Sequence, residues 1–171
     1  GVGRVRMELH ANSLAESLSR IYDGKFVPLH APARVSSRNI RDELLKEDSL
    51  LPAIYLTQKL DIAVVGIGYP NEKSAIMATG YFKENEIESL IDRKVAGELC
   101  MQFYDIYGDT APYKDDNNVI GMDISMLRSV PCSIGIAGGV EKLRAVRGAI
   151  NGHYINTLIT DIECAEALIS E

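Results

Sequence analysis

The sequence predicts an α/β domain built on a mostly parallel sheet flanked by helices, and three observations predict it. Short apolar runs end in glycine, segments of helical periodicity follow them, and the two kinds alternate along almost the whole chain. Ile62-Ala63-Val64-Val65-Gly66-Ile67-Gly68 is the clearest run, continuous enough to read as a parallel strand buried on both faces. Ser133 to Ala137, Val119 to Met122 and Thr157-Leu158-Ile159 read as further strands. No repeat or long linker interrupts the pattern, so 171 residues form one domain with a sizeable core.

The helices follow in order. Ser13-x-x-Glu16 has the form of a capping box before Leu14, Leu18, Ile21 and Tyr22, with Gly24 as the stop. A short strand is expected over Phe26 to Leu29. Ser36 and Ser37 can cap a helix carrying Ile40, Leu44 and Leu45. Pro52 to Leu60 reads as a helix with its proline in the first turn. Val95 to Tyr107 fits helix or strand. Helices are expected over Val140 to Ile150 and Ile162 to Ile169, the latter behind a capping box at Thr160-x-x-Glu163.

Composition excludes several functions. Eighteen Lys and Arg against 24 Asp and Glu give a net charge of −6, a balance that disfavours gripping DNA or an anionic membrane directly. No apolar run approaches the length of a membrane span. Cys100, Cys132 and Cys164 are odd in number and widely spaced, which reads as free thiols in a reducing cytosol and so as a cytoplasmic protein. His10, His30 and His153 have no metal-binding spacing, and no cofactor is expected.

Ligands of open α/β sheets bind at the carboxyl ends of the strands, and three segments qualify. Gly66 and Gly68 end a strand and let a ligand approach the backbone, or simply mark a turn. A dinucleotide fingerprint is not completed, because Asn71 stands where its third glycine belongs. Gly138 and Gly139 precede a helix whose first turn carries Lys142, a cation with better reason to face an anion or a carboxylate than to face the helix dipole. An exposed surface lysine is the alternative. Glu98 lies among small and apolar neighbours, and is either solvated or paired in a pocket.

The chain as a whole resembles the effector-binding domain of SorC-type regulators, which include regulators of sorbitol and deoxyribonucleoside genes. The ordered motifs are Gly1-Val2-Gly3 with His10-Ala11-Asn12, the run Ile62 to Gly68, Thr79-Gly80-Tyr81-Phe82 and Val95-Ala96-Gly97-Glu98-Leu99-Cys100 with Phe103-Tyr104-Asp105. Val119-Ile120-Gly121-Met122, Ile136-Ala137-Gly138-Gly139 with Lys142, and Asn156 to Asp161 complete the set. The pattern leans towards the deoxyribonucleoside branch.

The resemblance implies a Rossmann-like, three-layer fold similar to ribose-5-phosphate isomerase and glucosamine-6-phosphate deaminase, used as a sensor and not as an enzyme. It implies a phosphorylated sugar as effector, a homo-oligomer (dimer or tetramer), and operator DNA reached only through a separate N-terminal domain. By resemblance, Glu98 meets sugar hydroxyls and Lys142 is the pocket lysine. His10, Asn12, Gly66, Gly68, Gly138 and Gly139 frame the ligand. Residues 1–171 then correspond to part of the family's effector domain, without the helix-turn-helix and the first strand-loop-helix unit. Ala78 stands where relatives often carry a basic residue, which counts against a bisphosphate. An isomerase or deaminase on the same fold is the alternative, and an assembly module without a small ligand is a third reading.

Overall fold

A computed structural model describes residues 11–71, 74 and 80–170. Three parallel strands form the main sheet: β1 (Ile62–Gly66), β4 (Cys132–Ile136) and β5 (Thr157–Ile159), in the order β1-β4-β5. Val64 lies opposite Ile134, and Ile134 opposite Thr157. Between β1 and β4 the chain forms an antiparallel hairpin, β2 (Gly97–Leu99) and β3 (Gln102–Tyr104). The helices are α1 (Ala11–Ile21), α2 (Arg38–Leu44), α3 (Leu51–Thr57), α4 (Glu84–Asp92), α5 (Leu143–Asn151) and α6 (Ile162–Ser170). The expected α/β class with a mostly parallel sheet is thus observed.

Local signals account for several of these elements. The Ser37 side chain accepts a hydrogen bond from the Ile40 N–H and caps α2, and Pro52 stands in the first turn of α3. Other expectations are corrected. Ser13 and Glu16 lie inside α1, whose described part begins at Ala11, so they do not start it. Among the described residues Phe26 to Leu29 has no strand partner, and Val119 makes a single bridge with Arg34 where a strand is expected. Extended apolar runs become strands only when a partner backbone lies alongside. At α6 the cap is Asp161, whose carboxylate accepts from the Cys164 N–H at 2.8 Å; the Thr160 hydroxyl is buried without a hydrogen-bond partner.

The main core lies on one face of the sheet. Ala63, Ile67, Ala137 and Ile155 pack there with Ala145, Val146 and Ala149 of α5 and Cys164 of α6. The opposite face is open. Ile62, Val64, Ile136 and Ile159 are 60%, 57%, 43% and 54% exposed, so β1 is not buried on both faces as its apolar run predicts. Helices α5 and α6 pack on the core face, and the third layer is not supplied by described residues. A second core of Phe82, Ile87, Leu90, Val95, Phe103 and Tyr113 joins α4 to the hairpin.

Helix α5 lies close on the hairpin because small residues face it. The Tyr104 hydroxyl donates to the Ala145 carbonyl at 2.9 Å. At Gly148 an added methyl would come within 2.6 Å of the Asp105 carbonyl oxygen and 2.9 Å of the Tyr104 ring. Alanine improves helix propensity by about 1 kcal/mol, but overpacking against backbone costs about 1–3 kcal/mol. Gly148→Ala is therefore expected to lower the stability read from urea denaturation, even though it favours the isolated helix.

Candidate functional site

The carboxyl ends of the parallel strands gather at one edge, as in other open α/β sheets. Gly66 and Gly68 leave β1 there, Gly138 and Gly139 leave β4, and Asp161 follows β5. The hairpin reaches this edge through a two-residue bridge: the Gly68 N–H donates to the Glu98 carbonyl at 3.0 Å, and the Glu98 N–H returns to the Gly68 carbonyl at 2.9 Å. Gly68 has to be glycine for this approach. A Cβ there would fall 2.1 Å from Glu98 Oε1, so the carboxyl occupies the space that a side chain would fill.

The same carboxyl is held from the other side by the hairpin turn. Cys100 and Met101 form that turn with φ of +53° and +62°, a conformation that side chains other than Gly, Asn and Asp adopt rarely. The Met101 N–H donates to Glu98 Oε2 at 2.9 Å. The turn therefore aims an amide at the carboxylate, at some conformational cost. The Cys100 thiol, pushed up to about 12 by burial and by Glu98, stays neutral beside it.

Glu98 retains some accessible surface, yet protein atoms crowd its carboxyl on most sides. Burial pushes its pKa up from the ordinary 4.5 to about 7; the Met101 N–H and the positive charge of Lys142 pull it down by less. Lys142 is half-buried at the end of a 3-10 turn, Val140–Lys142, that leads into α5, and no ion pair closes between it and Glu98 among the described residues. An acid raised towards neutrality and a cation without an ion-pair partner among the described residues thus stand at the same edge.

The glycine pair works differently from the sequence expectation. The Gly139 N–H already donates to the Asp161 carboxylate, whose pKa is held low by the Cys164 and Gly139 amides. Gly139 adopts φ +94°, and this turn fixes Lys142, whose N–H donates to the Gly139 carbonyl at 3.1 Å. What the turn offers a ligand is the Lys142 ammonium more than the Gly139 amide. Asp161 was missed from the sequence, although an aspartate directly before a helical period is a capping signal.

The structure thus brings together Gly68, Glu98 and Lys142. Gly66 has open space around its Cα, and Gly138 is exposed next to Asp161. Asn12 sits half-buried in the first turn of α1, with no described contact to this group. His10, Gly1-Val2-Gly3, Ala78 and Thr79 lie outside the described residues.

The raised acid has a consequence for stability. Between about pH 4.5 and 7 the folded state holds a proton on Glu98 that the unfolded chain has released, so stability falls as pH rises through this window. Glu98→Gln keeps an acceptor for Met101 and removes the titration. Melting temperatures at pH 5 and pH 8 should show a smaller alkaline loss in the variant, which is expected to exceed the parent at pH 8.

The family described as "Putative sugar-binding domain" matches residues 1–170. The sorbitol operon regulator of Klebsiella pneumoniae is 30% identical over 167 residues, covering 98% of this chain and 53% of its own length. Its full-length crystal structure superposes with a TM-score of 0.88, over 98% of this chain and 54% of that one. The transcriptional regulator LsrR of Escherichia coli K12 is 36% identical over 142 residues, covering 81% of this chain and 45% of its own. For the deoxyribonucleoside regulator of Bacillus subtilis the figures are 27% over 147 residues, 86% and 46%.

The lean of the motifs towards the deoxyribonucleoside branch is therefore not matched by overall identity. The chain spans about half the length of these relatives, which are named as regulators and not as enzymes. Matched by the family over all but its last residue, and sharing both sequence and fold with the sorbitol regulator, the chain belongs to the sugar-binding domain family of SorC-type transcriptional regulators.

Proposed function

We propose that the chain is the sensing part of a bacterial transcriptional regulator, and that it binds a phosphorylated sugar at the edge formed by Gly68, Glu98 and Lys142. The observation that carries this reading is the pairing of a crowded carboxyl with a cation that lies near it without closing an ion pair. Glu98 accepts from sugar hydroxyls, and Lys142 supplies charge to the anionic part of the ligand. Gly66 leaves the approach open, while Asp161, packed on Gly138, holds the loop that carries Lys142. His10 and Asn12 complete the frame by family resemblance.

Relatives named for a sorbitol operon and for deoxyribonucleosides support a carbohydrate-linked effector. In this reading the ligand has different affinity for two arrangements of a dimer or tetramer, and the difference shifts how a separate DNA-binding region holds its operator. The protein acts in the cytoplasm on an operon of carbohydrate catabolism. The likeness to ribose-5-phosphate isomerase and glucosamine-6-phosphate deaminase belongs to the same proposal: a sheet-edge pocket for a sugar phosphate, retained without turnover.

Calorimetric titration with deoxyribose 5-phosphate, ribose 5-phosphate, fructose 6-phosphate and their unphosphorylated parents tests it. One phosphate is expected to bind where its parent does not. Glu98→Ala and Lys142→Ala should each weaken that binding by about 1.5–3 kcal/mol, the range for a hydrogen bond to a charged group. Equal affinity in both variants and the parent would exclude this site.

A further inference from the structure

A second recess lies elsewhere on the molecule and is lined by none of the residues of the proposed sugar site. It opens between α2, the 3-10 turn Ala111–Asp116 and β3, with a volume of about 210 Å³. That is smaller than the roughly 300–1,000 Å³ of pockets for drug-sized molecules, and suits a metabolite of a few carbons.

Its charge runs against that of the chain, whose net is −6. Arg38, Arg41 and Lys114 line it with a single carboxylate, Asp123, so three positive charges less one leave a lining of +2. Asp123 is already engaged, because its Oδ1 accepts from the Ser125 N–H and hydroxyl. Arg41 is anchored by its Nε donating to the Val119 carbonyl at 3.1 Å, with Asp42 at 3.3 Å from its Nη1. Arg38 and Lys114 have no ion-pair partner among the described residues.

The floor of the recess is polar and fixed. Gln102 is 4% exposed; its Nε2 donates to the Met122 carbonyl at 2.8 Å, and its Oε1 accepts from the Ile124 N–H and from Asn117 Nδ2. These bonds settle which way the Asn117 amide faces. Its Oδ1 is left buried with no hydrogen-bond partner, although buried acceptors are nearly always satisfied. Cations at the rim, above a floor whose Gln102 amide is already bonded at both its oxygen and its nitrogen, ask for an anion.

We propose that this recess is a second binding site, for a compact phosphomonoester whose dianionic phosphate meets Arg38, Arg41 and Lys114. Guanidinium groups match phosphate geometry, and Arg38 and Lys114, unpaired among the described residues, supply charge that the Arg41–Asp42 pair does not. The site is independent of the sugar-phosphate reading. It shares only the β2–β3 hairpin with that edge, since Gln102 directly follows the turn that holds Glu98.

The test is titration of the ¹⁵N-labelled chain with glycerol 3-phosphate, with glycerol and sodium chloride at matched ionic strength as controls. Saturable shifts are expected at the side-chain amides of Asn117 and Gln102 and at the Lys114 backbone, from glycerol 3-phosphate alone. Arg38→Ala with Lys114→Ala, both exposed positions whose loss should leave the spectrum folded, should weaken binding at least about tenfold. Asn117→Asp sets a like charge against the anion, and is expected to weaken binding even if the double variant fails to fold. Shifts confined to Gly138–Lys142, no saturable shift, or unchanged affinity in the folded variants would overturn the proposal.

Discussion

Gly68 and Glu98 exchange two backbone hydrogen bonds across the end of β1, and this short bridge determines where the hairpin stands. The sheet alone would present only the loops after β1, β4 and β5. Because Gly68 has no side chain, the hairpin can come close enough to put a carboxyl over the end of the strand. The rest follows from that approach. Crowding raises the acid towards neutrality, the Met101 amide steadies it, and the Lys142 charge lies near enough to be felt. On the far side, the Tyr104 hydroxyl and the small residues of α5 hold the hairpin against the helix that begins after Lys142.

Much of this was legible in the chain. The strands at Ile62, Cys132 and Thr157 and the helices capped by Ser37 or opened by Pro52 are local events, set by periodicity and by one or two side chains. The failures were matters of partnership. Among the described residues, Phe26 to Leu29 has strand composition but no neighbour to pair with, and Val119 bridges to Arg34 alone. The segment from Val95 to Tyr107 stayed ambiguous because its turn uses Cys100 and Met101, neither a usual residue for positive φ. Tertiary contact with Glu98 and with the second core overrides that preference.

The site was legible in part, and unequally. Glu98 and Lys142 gained their roles from family resemblance, since nothing in their spacing of 44 positions says that they meet. Asp161 carried a local signal that was overlooked in favour of Thr160. The second recess had no sequence signature at all: Arg38, Arg41, Gln102, Lys114 and Asn117 come from three separate stretches, and only folding brings their charges and amides to one place. Charge counts describe a surface on average and hide such local reversals.

The fit between Gly68 and Glu98 also makes these two positions a single unit of inheritance. A methyl at position 68 would fall on the carboxyl itself, so a lineage that replaces this glycine has to move, shorten or discard the acid thirty residues later. Aspartate could retreat from the added carbon, and a small neutral residue would abolish the contact altogether. Members of the family that keep glycine can keep glutamate in this position, and those that lose the glycine should displace or lose the acid. Drift at position 68 would thus reach, through space, a carboxyl thirty residues away.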